Sequence, residues 1–81
     1  MSNANRFSAR YGDLLLAITQ QGAFWRVRVE EADDPNSALS GGIDYPSVEK
    51  AKRGAISIAL ELFGTAVPAE ELEWRPTSDQ S

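Results

Sequence analysis

Apolar and polar residues alternate strictly over Phe24-Trp25-Arg26-Val27-Arg28-Val29-Glu30: Trp25, Val27 and Val29 fall on one side, Phe24, Arg26, Arg28 and Glu30 on the other. A period of two predicts a strand buried on one face of an antiparallel sheet. The stretch before it, Asp13 to Gln20, predicts a second strand with Leu14, Leu16 and Ile18 inward and Leu15, Ala17 and Thr19 outward. Gln21-Gly22 suits the turn between them, because glycine takes positive φ without steric cost. Glu31-Ala32-Asp33-Asp34-Pro35-Asn36-Ser37 carries turn-forming residues throughout and predicts a loop. Ala38 to Tyr45 is the site expected for a short third strand, with Gly41-Gly42 marking a bulge or a close approach.

The period then changes to that of a helix. Val48, Ala51, Ala55, Ile58, Ala59 and Leu62 make one stripe, while Glu49, Lys50, Arg53, Ser57 and Glu61 cover the opposite arc. Ser47 is placed as N-cap, Glu49 complements the helix dipole, and Gly64 closes the far end. Ile56, Leu60 and Phe63 widen the apolar arc beyond what one sheet face covers. Those three are the candidate surface for a homodimer. Pro68-Ala69-Glu70-Glu71-Leu72 reads as a short helical turn, and Leu72-Glu73-Trp74-Arg75 as a last strand with Leu72 and Trp74 inward. The expected fold is α+β: a small antiparallel sheet of three or four strands with one long helix across one face, in the order β-β-β-α-β. One domain over 11–75 is expected, with 1–10 a flexible segment from which Phe7 and Tyr11 could dock, and 76–81 a disordered tail.

Composition narrows the chemistry. The chain has 81 residues, 42% of them apolar, but eleven are alanine, so the core is thin and a stability of a few kcal/mol is typical at this size. It has no cysteine and no histidine, which removes disulfides, thiolate metal sites, a cysteine nucleophile and the usual neutral-pH general base. The start is polar, and the longest apolar run, Leu14 to Ile18, is far short of the roughly twenty residues that cross a bilayer. A soluble cytoplasmic protein with no membrane association is expected.

No candidate chemistry suggests an enzyme. An EF-hand loop starting at Asp34 would require glycine where Leu39 stands and glutamate where Tyr45 stands, so no metal and no cofactor are expected. Gly41-Gly42 lacks the lysine and hydroxyl residue of a phosphate loop. Ser8, Ser37, Ser40, Ser47 and Ser57 have no histidine to activate them. Two surfaces remain. The outer hairpin face carries Phe24, Arg26 and Arg28, a combination suited to a protein contact or to nucleic acid, although exposed strands often carry Arg and Glu only as cross-strand partners.

The other surface is the acidic loop of Glu30, Glu31, Asp33 and Asp34. From Glu30 to Glu49 there are six acids and no base, and the net charge is −4. Nucleic-acid affinity needs a basic footprint, so this distribution favours a protein partner with a basic surface and makes nucleic acid the second choice. The leading expectation is a small acidic, non-enzymatic binding module.

The run from Phe24 to Gly64, with its Trp-x-Val-x-Val strand, Gly-Gly-Ile-Asp-Tyr-Pro-Ser and alanine-rich helix ending Leu-Phe-Gly, resembles the three-strands-then-helix DNA-binding domains of the Apetala and phage-integrase-arm type. Those domains read DNA from the sheet, which would implicate Trp25, Arg26 and Arg28; this chain departs from them in being acidic and in placing Trp25 in phase with the core. The same order is similar to HicB-type antitoxin domains, without their proline-rich segment. In size, charge and element order the chain also looks like phage inhibitors of host defence, the anti-CRISPR proteins. The latter two resemblances imply an inhibitor that occupies a partner's surface, blocking a nucleic-acid site.

Overall fold

The computed structural model describes residues 5–40 and 44–77. Among them are five strands, β1 (Arg6–Tyr11), β2 (Leu14–Gln21), β3 (Phe24–Glu31), β4 (Asp34–Ser40) and β5 (Arg75–Thr77), and one helix, α1 (Val48–Phe63), followed by a 3₁₀ turn at Ala69–Glu71. The strands form one antiparallel sheet in the order β4-β3-β2-β1-β5. The α+β class and the helix on one face are as expected, with one strand more than the three or four anticipated.

The additional strand comes from the segment expected to be flexible. In β1, Phe7, Ala9 and Tyr11 stand opposite Ile18, Leu16 and Leu14, so their side chains join the inward face of β2. Gly12 at φ 58° and Gly22 at φ 64° each lead a two-residue hairpin turn, Gly12-Asp13 and Gly22-Ala23. The second turn therefore falls one residue later than expected. The tail is also corrected in part, because Pro76 and Thr77 lie in β5, paired with Phe7 and Arg6. At an edge, a proline without an N–H costs the ladder nothing.

The predicted acidic loop is instead a tight hairpin. β3 runs on to Glu31, which pairs with Asp34 across a two-residue turn. Asp34 Oδ1 accepts from the Asn36 amide at 3.1 Å, a local bond that the turn propensities could equally have placed in a loop. Since Val29 pairs with Leu39 and Glu31 with Asp34, residues 35–38 bulge opposite the single residue Glu30. The expected third strand begins earlier than anticipated, at Asp34. Beyond it, Tyr45 makes an isolated bridge to Trp25 through two 2.8 Å backbone bonds. Gly41-Gly42 lies outside the described residues.

The core is the one the alternation implied. Leu16, Ile18 and Val29 are fully buried, and Trp25 and Val27 pack with them under Ala51, Ala55, Ile58 and Ala59. α1 has the expected caps. Ser47 Oγ accepts from the Lys50 amide at 3.3 Å, and the Gly64 and Thr65 amides bond the Leu60 and Ala59 carbonyls at 3.1 and 3.0 Å. Gly54 is buried in α1 against the Tyr45 ring, where a Cβ would overlap that ring. Leu62, expected in the stripe, is 55% exposed. The helix packs mainly on β2 and β3, and Leu62 is a full turn beyond Ile58, its last buried isoleucine.

Candidate functional site

A sheet has two faces, and α1 covers one. Register assigns the other. Across β1, β2 and β3 the rows are Arg6–Thr19–Arg26, Ser8–Ala17–Arg28 and Arg10–Leu15–Glu30, with Arg75 of β5 opposite Ser8 and Phe24 opposite Gln21. Every residue in these rows is exposed or half-buried. Five of the chain's eight cationic residues, Arg6, Arg10, Arg26, Arg28 and Arg75, stand on this open face. Each row has a small or apolar residue at its centre and at least one arginine beside it, so Leu15, Ala17 and Thr19 make a stripe along β2. The aliphatic stems of long side chains on either side account for the stripe being only half exposed.

The guanidinium groups are engaged locally. Arg26 Nε meets Asp44 Oδ1 at 3.1 Å, Arg28 Nε meets Glu30 Oε1 at 3.1 Å, and an Arg75 terminal nitrogen meets Glu73 Oε1 at 3.2 Å. Arg10 Nε donates to the Gly12 carbonyl at 3.2 Å. The paired arginine side chains are 60–77% exposed, so each bridge is worth about 0–1 kcal/mol and a competing anion can displace the carboxylate. Two depressions sink into the face. One of about 250 Å³ is lined by Arg6, Ser8, Ala17, Arg28 and Glu30 among others; the other, about 320 Å³, by Ser8, Arg10, Leu15, Glu73 and Arg75 among others. Ser8 and Leu15 belong to both.

The residues singled out from sequence divide between two places. Phe24, Arg26, Arg28 and Glu30 lie on the open face, Phe24 near its rim and 47% exposed. Glu31, Asp33 and Asp34 sit instead at the end of the sheet where the β1–β2 and β3–β4 turns meet. The Ala32 amide bonds the Asp13 carbonyl there at 2.6 Å, which adds a fourth acid to that end. Among the described residues no acidic cluster is arranged to hold a metal ion. Of the candidate dimer residues, Ile56 and Phe63 are partly buried against the core, with Phe7, Tyr11, Leu72 and Trp74 packed on the same cluster. Leu60 remains 53% exposed.

Arg6, Ser8 and Arg10 lie in the segment that the sequence suggests is flexible, and Arg75, although at the end of the expected last strand, joins the face only through its pairing with Ser8. The signal was present: Arg6-Phe7-Ser8-Ala9-Arg10-Tyr11 alternates as cleanly as β3 does, and Gly12-Asp13 supplies the turn after it. No helix among the described residues is long and apolar enough to cross a membrane. No protein-family model matches the chain, and no curated protein and no solved structure matches it.

Proposed function

We infer that the protein is a small nucleic-acid-binding domain that uses the open face of its sheet. The observation that carries this reading is the gathering of five of eight cations on the one face the helix leaves uncovered. Alternate residues on a strand are about 7 Å apart, and strands two apart are separated by about 10 Å. The guanidinium groups therefore form a grid with the reach of consecutive backbone phosphates, which they can take bidentately.

The net charge of −4 opposes this reading only weakly. Asp13, Glu31, Asp33 and Asp34 are at one end of the sheet. Arg6 and Arg26 are five to six residues away along it, about 17–20 Å, or roughly twice the Debye length at physiological salt. Screening separates Arg6 and Arg26 from those four acids, while Arg10 and Arg28 stand nearer to them and Glu30, Asp44 and Glu73 lie among the arginines themselves. No catalytic step is assigned.

Fluorescence anisotropy with labelled oligonucleotides over a salt series tests the reading. The double change Arg6→Gln with Arg28→Gln should weaken binding and reduce the slope of log K against log salt by roughly 1.4–1.8. Binding that is indifferent to those changes, or no binding even at low salt, would remove it.

A second reading is favoured by the meeting of Asp13, Glu31, Asp33 and Asp34 from two turns. This end would engage a basic protein surface, in the manner of an inhibitor or antitoxin. Replacing the four with amides should then slow association with that partner and flatten its salt dependence. The same changes should leave oligonucleotide binding unchanged or tighter.

A further inference from the structure

We propose that the open face takes single-stranded nucleic acid in preference to duplex, with unstacked bases seated in the two depressions that share Ser8 and Leu15. The inference rests on the nucleic-acid reading of this face and names the form of the ligand. Three observations carry it.

The first is shape. Reading a duplex groove requires a projecting helix or a two-stranded ribbon. The arginines here stand on a sheet five strands wide. The helix is on the opposite side, and its exposed arc mixes Glu49 and Glu61 with Lys50 and Arg53. It offers no basic ridge.

The second is the composition of the depressions. Each has an apolar lining, Leu15 with Ala17 or Ala9, and each has two arginines and one carboxylate in its walls: Arg6 and Arg28 with Glu30, or Arg10 and Arg75 with Glu73, the carboxylate bridged to Arg28 or Arg75. Guanidinium planes and apolar floors suit the faces of a splayed base. In a duplex those faces are covered by the neighbouring pairs. A ligand made only of phosphate contacts would need the arginines and would have no use for the concavities.

The third is Phe24. It is 47% exposed at the rim of the same face, in register with Gln21 and next to the row of Arg26 and Arg6. An aromatic ring left open beside a file of cations is a stacking platform for a base that leaves the depressions. β2 is eight residues long, so the whole face spans about 26 Å and accommodates a few nucleotides.

The test compares a short labelled polypyrimidine strand with the same strand annealed to its complement, at matched salt, using the whole chain. The single strand should bind at least about tenfold more tightly. Phe24→Ala should weaken single-strand binding about tenfold with an unchanged salt slope, since a stacking contact releases no counterions. Ser8→Glu, which puts a carboxylate in the wall common to both depressions, should abolish single-strand binding. Circular dichroism melting checks that both variants fold, and Phe24→Ala, at an exposed site, carries the test alone if Ser8→Glu does not.

Equal or tighter duplex binding would overturn this inference and leave the nucleic-acid reading standing. Failure of both ligands would overturn both. A single-strand preference untouched by the folded variants would overturn the placement of the bases.

Discussion

The two faces of the sheet are built from the same strands, with residues alternating between them, yet they do opposite work. On the helix side, Leu16, Ile18, Val27 and Val29 have almost no solvent exposure, and tilted ring packing brings Phe7 to 5.9 Å from Trp25. Lys52 Nζ closes that region, 5.5 Å from the Phe7 ring and 5.8 Å from the Trp74 ring. On the other side the same strands carry arginines paired with surface carboxylates, Asp44 and Glu73 exposed and Glu30 half-buried. One face stores the folding free energy, through apolar burial at about 25 cal/mol per Å². The other contributes little to stability, so it is free to be spent on a ligand. The pleat keeps the two sets of residues apart.

Substitutions on adjacent residues of β3 give the sharpest contrast. Trp25→Ala should cost about 3–5 kcal/mol, enough to unfold most of a domain of this size. Arg26→Ala, one residue on, should change stability by no more than about 1 kcal/mol. Urea denaturation of the two variants reads both values. Similar losses would mean that the faces are not energetically distinct.

A smaller effect is expected where the loop before α1 joins the core side. Gly54→Ala gains about 1 kcal/mol of helix propensity, but its methyl group would overlap the Tyr45 ring. Overpacking costs about 1–3 kcal/mol, so the net result should be a loss of up to about 2 kcal/mol. In a Tyr45→Ala background the same change should be neutral or stabilising, and a double-mutant cycle of melting curves measures the coupling. Additive effects would show that Tyr45 is not held over the helix.

On the open face the expected changes are in affinity. Removing the carboxylates that occupy the arginines, by Glu30→Gln, Asp44→Asn and Glu73→Gln together, should tighten oligonucleotide binding about three- to tenfold while stability moves little. Weaker binding would show that the bridges position the guanidinium groups for the ligand. The least change is expected in assembly state. Leu60 and Leu62 are the exposed leucines of α1, but two residues apart on a helix they lie on different sides of it, and Ile56 and Phe63 are partly covered by the chain itself. Light scattering at micromolar concentration should give the 8.8 kDa monomer, and a dimer there would restore the flank of Ile56, Leu60 and Phe63 as an interface.

The local signals in the sequence were sufficient for the central hairpin, the phase of Trp25, Val27 and Val29, the helix with its Ser47 and Gly64 caps, and the α+β class. Each depends on periodicity or on a residue with a strong conformational preference, and both act within a few positions. Tertiary structure decided the rest. Arg6–Tyr11 has its own alternation and a hairpin turn to β2, but whether Arg75–Thr77 is a strand depends on pairing with the opposite end of the chain, in which Ser8 stands opposite Arg75. The acidic stretch could have been a loop or a hairpin by its own propensities; pairing of Glu31 with Asp34 selected the hairpin. Leu62 has the right helical phase for burial but lacks a strand beneath it. The candidate site follows the same logic. Its arginines come from three strands separated by up to 69 positions, from Arg6 to Arg75, and are neighbours only because antiparallel register aligns them. A net charge counts such residues, but register gives them a common face.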